Sequence, residues 1–388
     1  MKIAFFTVTL DSGGAERHLL QLAQHWPLPR ENLEIMLLER QGVWLSEVPK
    51  GVRVIALSER APKVGALKHL WAWRQVPRMC KLLKERGYDV VVTFLWLPTV
   101  VAALALKGFP HSNRPRLVWS VQSDLDQEFR LHADGWLRRR AIQSVLPSQV
   151  ERYIAISTGI AQRTQELLGV PEERFEIIPN SIDLERVQDL AAQREGLFPK
   201  RAPLQVITVG RLHPAKGLDL LLDALAHLRA QVPSLELEVW IVGEGPQRPK
   251  LEAQIQRLGL AGWVKLPGHA ANPYAWMASA DVFVSPSRWE AFGIVIVEAL
   301  AVGCPVVATA TDGARNILEH GVNGWVVPLN DLETLAKGIE LLLKDKDLRQ
   351  RLSERGKAKA KQFDAPLIAQ RYVETLQRLL TAPSLPRG

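Results

Sequence analysis

The feature that most limits how this chain can fold is an alternation, run through twice, of short apolar runs with amphipathic stretches of helical spacing. Ile3 to Thr9 reads as a first strand, after which Ala15, Leu19, Leu22, Ala23 and Trp26 recur on one helical face. Leu33 to Leu38, Val52 to Leu57, Val90 to Phe94, Leu117 to Val121 and Tyr153 to Ile156 continue the series. Strands separated by helices are joined by right-handed crossovers, so the sheet they form is parallel. From IIPNSIDLERV through QREGLFPKRAP the pattern loosens into a polar run. A second series then begins with Leu204 to Val209, Leu237 to Val242 and Val264 to Leu266, and ends with Val282 to Val284, Val306 to Ala308 and Gly324 to Val327. The fold class is therefore α/β, with a Rossmann-like domain over 1–180, a linker over 181–203 and a second Rossmann-like domain over 204–364. Residues 365–388 read as an amphipathic helix and tail, the helix crossing back to the first domain. A length of 388 residues agrees, because one hydrophobic core rarely grows that large.

Composition excludes several classes. With 47% hydrophobic and 23% charged residues the chain reads as soluble and globular, without large disordered regions. MKIAFFTVTLDSGG holds too little apolar sequence for a signal peptide and is followed by no small-residue cleavage pattern, so it reads as a strand. Val90 to Leu106 runs uncharged for 17 residues, but Pro98, Thr93 and Thr99 interrupt it, which favours a buried strand followed by a helix over a membrane span. Cys80 and Cys304 are the only cysteines and lie far apart, so neither a disulfide framework nor a cysteine metal site is indicated and a reducing cytoplasm fits. The net charge of +8 is concentrated: between Arg60 and Arg140 there are 15 Lys/Arg against 6 Asp/Glu. A patch of this kind suits nucleic acid, anionic lipid or an anionic substrate.

Several short constellations sit where strands give way to helices. Ser12-Gly13-Gly14-Ala15-Glu16 follows the first strand, and its glycines serve either a tight turn or the close approach of an anion to free helix N–H groups. It is not GxGxxG, so dinucleotide binding is not indicated. Gly210-Arg211-Leu212-His213-Pro214-Ala215-Lys216-Gly217 occupies the matching place in the second series, and its two cations are placed to hold a diphosphate and to stabilise it as it leaves. Val242-Gly243-Glu244-Gly245-Pro246 repeats the arrangement, and reads as a plain turn unless its neighbours form a site. Asp124-Leu125-Asp126 has the DxD form of some metal-dependent transferases, but those enzymes lack two complete Rossmann halves, so no metal is assigned.

The stretch SPSRWEAFGIVIVEALAVGCPVV, from Ser285 to Val307, reads as a strand end, a loop, a buried helix and the next strand. Glu298 inside its apolar run must be paired, hydrogen-bonded or used. On one continuous helix Glu290 and Glu298 would stand about 12 Å apart, beyond the ~5 to 9.5 Å of a glycosidase carboxyl pair. Separate roles along an extended ligand are the alternative.

The ordered set SGGAER, PNSID, GRLHPAKG, VGEGP and EAFGIVIVEALAVGCPVVAT resembles glycosyltransferase family four, whose members use nucleotide sugars with retention. The resemblance covers essentially the whole chain and implies the GT-B fold, two Rossmann-like domains facing across a cleft. It implies that Gly14 meets the donor diphosphate through its backbone and that Arg211 and Lys216 bind it. Glu290 matches the residue that contacts the donor sugar hydroxyls, the backbone of Ala291, Phe292, Gly293 and Ile294 lines the sugar and phosphate, and Glu298 holds the ribose. Gly243 falls on the donor side, and Ala270 falls where the base is met by main chain. Catalysis then rests on Glu290, Arg211 and Lys216, with Gly13 and Gln122 on the acceptor side. No metal or cofactor is implied. The co-substrate is a nucleoside diphosphate sugar of UDP or GDP type, and the departing phosphate helps remove the acceptor proton, which asks the protein for placement and electrostatics.

Three departures stand out. Gln122 replaces a frequent His and can hydrogen-bond a sugar without acting as a base, Ser181 replaces the Gly of the PNG segment, and Ala291 replaces the Gly after the first glutamate. On the acceptor side, Arg60 to Arg86 carries eight Lys/Arg and one Glu, interleaved with Leu67, Leu70, Trp71, Trp73, Val76, Met79 and Leu82 and restarted at Pro77. This stretch is either a packed helix with a solvated basic face or a contact for an anionic membrane, which would suit a glycan or lipid-linked acceptor on a peripheral cytoplasmic enzyme. A nucleotide-sugar epimerase on a similar fold is the rival enzyme class. A nucleic-acid binder is a remoter rival, since the basic and aromatic residues form no recognisable binding module.

Overall fold

The computed structural model describes residues 1–11, 13–60, 71–110, 113–130, 134–193 and 202–382. The chain divides into two units, Met1–Ser181 together with the chain from Ala365, and Ile182–Asp364.

The first unit is built on seven parallel strands: β1 (Ile3–Thr7), β2 (Leu33–Glu39), β3 (Arg53–Ser58), β4 (Val90–Phe94), β5 (Arg116–Val121), β6 (Arg152–Ala155) and β7 (Phe175–Ile177). Their order is β3-β2-β1-β4-β5-β6-β7, with Ile3 of β1 in register with Leu33 on one side and Val90 on the other. Five of the β1 residues and all of β4 are buried, the signature of a parallel sheet covered on both faces. The predicted face of the first helix, Gly14–Gln24, is buried, including Leu19, Leu22 and Ala23 at 0% exposure. The uncharged run from Val90 divides into β4 and the helix Trp96–Leu106, and among the described residues no helix is long and apolar enough to cross a membrane.

The second unit carries β8 (Leu204–Val209), β9 (Leu237–Val242), β10 (Val264–Gly268), β11 (Val282–Ser285), β12 (Val306–Thr309) and β13 (Trp325–Val327). They are again parallel, in the order β10-β9-β8-β11-β12-β13. Both sheets thus show the doubly wound 3-2-1-4-5-6 order of a Rossmann fold. The predicted linker over 181–203 is corrected in part: Leu184–Ala192 is a helix of the second unit, capped by Asp183, whose Oδ1 accepts from Arg186 N–H at 3.0 Å. It buries Val187 and packs on the helix Pro273–Ser279, where Asn272 Nδ2 donates to Leu190 O at 2.7 Å. Residues 194–201 of that call lie outside the described residues.

The predicted C-terminal helix, Ala365–Thr381, belongs to the first unit and packs against Gly14–Gln24. Its Ile368, Ala369, Tyr372, Val373 and Leu376 join the core of β1, β4 and β5 residues. At the centre of that contact is His18, fully buried on the core face of the first helix. Its Nδ1 accepts from Ser181 N–H at 3.1 Å, and burial lowers its pKa from 6.5 to about 3. The ring is therefore neutral, its proton is on Nε2, and Nε2–H donates to Tyr372 Oη at 3.2 Å. Burial pushes the Tyr372 phenol up, so it keeps its proton.

A His with a folded pKa below its unfolded one binds fewer protons when folded. Its contribution to stability is therefore complete above about pH 6.5 and is lost as pH falls toward 3. The slope approaches ~1.4 kcal/mol per pH unit. The His18→Asn variant keeps a neutral donor and acceptor, so its thermal midpoint falls less steeply than the wild type's between pH 7 and pH 5. Parallel falls in differential scanning fluorimetry would refute the assignment of this slope to His18.

Candidate active site

In a doubly wound sheet, ligands bind outside the carboxyl ends of the strands, at the point where strand order reverses. In the second unit that point lies between β8 and β11, and the loops leaving these strands carry most of the predicted residues. The two loops are fastened together. Arg288 N–H donates to Ala215 O at 2.8 Å, and the Arg288 guanidinium makes two 2.6 Å hydrogen bonds to Asp219, which hold that carboxyl below its usual range. Gly217 has φ +59°, and a Cβ there would stand 2.1 Å from Pro286 O. Only glycine lets the loops come this close.

This fastening brings Lys216 and Glu290 together as an ion pair. Their side chains are 25% and 19% exposed, so the pair is reachable from solvent. Arg211 is exposed and has no acidic partner among the described residues. Gly210, Arg211, Lys216, Ser285, Ser287 and Val295 line one small pocket. Val295 is in the first turn of the helix Ile294–Ala301, so free helix N–H groups and two cations stand at the same place, an arrangement that favours an anion.

Gly243 is more than a plain turn. It has φ +143°, and a Cβ there would lie 1.9 Å from Gly210 O, so the VGEGP loop is pressed directly on the loop that carries Arg211. Glu290 and Glu298 do not share a helix: Glu290 precedes Ile294–Ala301 and Glu298 lies within it. Gly313 N–H donates to Glu290 O at 3.0 Å and fixes the backbone at that point. Glu298 is buried at 2% exposure, where Tyr274 Oη donates to its Oε1 at 3.2 Å. Ala291, Phe292 and Gly293 form the turn between Glu290 and the helix start at Ile294, and Ala270 is half-buried just beyond β10.

In the first unit β1, β4 and β5 are neighbours, so the segments leaving them emerge side by side along one sheet edge. Gly13 and Gly14 follow β1. A Cβ at Gly14 meets nothing within 4 Å, whereas at Gly13 the Glu16 carboxylate folds back to 2.1 Å from that position. Burial raises the Glu16 carboxyl, with Asp11 adding to it. After β4, Leu95 has φ +67°, a strained backbone for a leucine, and Thr99 Oγ1 donates to its carbonyl at 2.7 Å. After β5, Gln122 Nε2 donates to Ser120 Oγ at 2.7 Å, while its Oε1 is buried without a partner among the described residues.

Asp124 and Asp126 are already engaged. Asp124 caps the short helix Leu125–Arg130 and pairs with Arg163 at 2.8 Å, and Asp126 pairs with Arg130 and Arg139 at 2.7 and 3.0 Å. Sequence reasoning missed Arg288, Asp219, Tyr274 and Leu95. The first two stand beside predicted motifs, but nothing in their spacing announces a bidentate pair 69 residues apart in the chain. For the basic stretch, residues 61–70, including Leu67 and Leu70, lie outside the described residues. Beyond them Met79 and Leu83 are buried in the helix Val76–Arg86 and Trp73 is 53% exposed.

The comparisons with known proteins agree with this fold. The family described as "Glycosyltransferase Family 4" matches residues 12–186, and the one described as "Glycosyl transferases group 1" matches residues 191–359. The phosphatidyl-myo-inositol mannosyltransferase of Mycobacterium leprae is 33% identical over 96% of this chain and 95% of its own. The N-acetylgalactosamine-N,N'-diacetylbacillosaminyl-diphospho-undecaprenol 4-alpha-N-acetylgalactosaminyltransferase of Campylobacter jejuni is 28% identical over 95% of this chain and 97% of its own. Among solved structures, Anabaena HepE in complex with UDP superposes with a TM-score of 0.81 at 27% identity, over 97% of this chain and 100% of that one. The chain belongs to glycosyltransferase family four. It has the GT-B fold and is a glycosyltransferase of polysaccharide, lipopolysaccharide or glycolipid synthesis, and the epimerase alternative is not favoured.

Replacing Gly217 with alanine forces a left-handed backbone and a clash with Pro286 O, and costs about 1 to 3 kcal/mol. It also moves Lys216. The Gly217→Ala variant therefore unfolds at lower temperature and loses thermal stabilisation by added UDP or GDP. Wild-type response to both nucleotides would show that the loop contact does not set the site.

Proposed function

We propose that the protein transfers a hexose or N-acetylhexosamine from a nucleoside diphosphate sugar, with retention and without a metal, to a glycan or lipid-linked acceptor. The observation that carries this is the Lys216–Glu290 ion pair beside the free Arg211, at the strand-order reversal of the second sheet. A partly exposed ion pair is worth little, so a diphosphate can take the Lys216 ammonium from Glu290 at small cost. Arg211 and Lys216 then hold the diphosphate and stabilise the charge that grows on it as the sugar leaves, the role a metal ion fills elsewhere. Glu290, released, faces the sugar hydroxyls. Glu298, anchored by Tyr274, takes the ribose, and the main chain from Ala291 to Ile294 and at Ala270 and Gly243 completes the donor contacts. Gly14, with open space where a side chain would stand, is assigned to a phosphate, and Gly13 and Gln122 to the acceptor. HepE with bound UDP-glucose supports the donor class, and the diphospho-undecaprenol in the name of the Campylobacter relative supports the acceptor class.

Screening UDP-, GDP- and ADP-sugars by thermal shift identifies the donor, since a ligand bound at a hundred times its Kd adds about 2.7 kcal/mol. With the donor known, Glu298→Ala weakens bare-nucleotide binding by about tenfold, the loss of roughly 1.4 kcal/mol of ribose contacts. Glu290→Ala leaves nucleotide affinity near wild type and lowers kcat, and EDTA changes neither. Equal losses of nucleotide affinity in both variants would contradict this division of roles, and conversion of the donor without any acceptor would restore the epimerase.

The first unit also presents apolar side chains amid its basic excess: Trp73, Trp136 and Leu137 are 53%, 65% and 51% exposed, and Leu137 adjoins Arg138, Arg139 and Arg140. We assign this unit to an anionic membrane surface. The protein floats with phosphatidylglycerol vesicles at low salt, and high salt releases it. Failure to float at low salt would end the membrane assignment.

A further inference from the structure

A second concave surface of the second unit shares no lining residue with the small pocket around Arg211 and Lys216. It is a groove of about 450 Å3, within the range of small-molecule sites. One wall is the helix Asp312–Ile317 with the loop after it, which brings Arg315, Glu319 and Val322. The other is the helix Lys346–Ala360, which brings Arg355 and Lys359 one turn apart on one face. Asn323 pins the loop, since its Oδ1 accepts from Glu319 N–H at 2.7 Å and its Nδ2 donates to Ile317 O at 3.1 Å. Gly356 lets the second wall close on that loop: a Cβ there would stand 2.8 Å from Leu300 Cδ2 and 3.6 Å from Asn323 O. Three cations thus face one carboxylate, Glu319, and none of the four is in an ion pair among the described residues. A concavity lined mainly by one sign of charge concentrates its field and draws counter-ions.

We propose that this groove is a second anion site, which takes the phosphate ester of a small polyol, either a free sugar phosphate or the glycerophosphate headgroup of a lipid. Arg315 and Arg355 offer the planar sets of N–H donors that match phosphate oxygens, and Lys359 adds a point charge. None of the described lining residues is aromatic, so a nucleobase has no ring to stack on, whereas Val322 and Ala358 present saturated carbon to a polyol. The groove uses neither Arg211 nor Lys216. Donor nucleotide and this second anion are therefore bound at once, and the inference goes beyond the reaction proposed above without resting on it.

Isothermal titration of the full-length protein with inorganic pyrophosphate, in saturating UDP, reads the groove alone. Salt at about 0.15 M screens attraction beyond about 8 Å, so a diffuse positive surface contributes little. The wild type binds pyrophosphate under these conditions. Arg315→Ala and Arg355→Ala each weaken that binding about tenfold, as expected for one lost charge-assisted contact. Both keep UDP affinity within about twofold of wild type, which also shows that they are folded. Lys357→Ala removes a cation of the same helix that lies outside the groove, and it changes pyrophosphate binding by less than about twofold. No binding in the presence of UDP would overturn the proposal, and so would equal weakening by Lys357→Ala. Competition by glucose 1-phosphate assigns the site to a soluble ester, and reduced flotation of Arg355→Ala with phosphatidylglycerol vesicles assigns it to a headgroup. Absence of both effects would overturn the ester. If UDP itself does not bind, it is the donor reading that fails, and the same titration of Arg211→Ala, Lys216→Ala protein without nucleotide tests the groove.

Discussion

The first unit depends on one buried imidazole. The chain passes between the two units twice, at Ser181–Ile182 and at Asp364–Ala365, and His18 is bonded to the residue before the first passage and to Tyr372 seven residues beyond the second. Ile182 and Asp364 pair as an isolated bridge, with Ile182 N–H donating to Phe363 O at 2.9 Å, so the two passages are also tied to each other. A neutral histidine suits this position because it offers one acceptor and one donor on opposite sides of a flat ring. Protonation would put a donor against the Ser181 N–H and a charge in a fully buried site, which is why burial holds the group neutral so far below its ordinary pKa. Ser181 adds a hydroxyl 3.0 Å from the same ring and donates to Gln21.

The second unit solves a different problem, the holding of two cations near one another on adjoining loops. Two cations side by side repel, and a buried cation without a partner is costly. Here Lys216 is occupied by Glu290 and Arg211 remains in solvent, while the frame that carries them is fixed by other contacts: the Arg288–Asp219 pair, the Gly217 approach to Pro286 and the Gly243 approach to Gly210. Rigidity lies in the backbone contacts, and exchangeability in the one partly exposed ion pair.

Most of this frame was legible in the sequence, and the exceptions have physical causes. Fully buried parallel strands are continuous apolar runs, so β2, β4, β8 and β9 announce themselves. Edge strand β7, three residues of Phe175–Ile177 and only half-buried, does not. The linker over 181–203 read as polar because the helix Leu184–Ala192 buries one side chain fully, Val187, and leaves Glu185, Arg186, Gln188 and Asp189 exposed. Motif spacing placed Arg211, Lys216 and Glu290 in one place because the loops after β8 and β11 are neighbours in any sheet of this order. His18 and Tyr372 were illegible for the opposite reason: a polar residue on an apolar helical face, 354 positions from its partner, leaves no periodic trace. Separate roles for the two glutamates were already legible in their spacing, and Glu290 lies in the loop while Glu298 lies inside the helix.

A glutamine at 122, assigned to the acceptor side, then bears on how a proton leaves the acceptor. A carboxamide holds a hydroxyl but takes no proton from it at ordinary pH. The buried histidine of the first unit offers no substitute, because both of its ring nitrogens are engaged and its basicity is suppressed by burial. In the second unit Glu290 is committed to Lys216, and Glu298 is buried against Tyr274. On the proposed same-face transfer, the base best placed to appear at the right moment is one the protein does not own, the departing diphosphate oxygen itself. Such a base is weak while the sugar is attached and strengthens as the bond breaks, so the task left to the chain is to hold two substrates and one growing charge in register. A chain that fixes the loops carrying its cations through glycine contacts is built for that task.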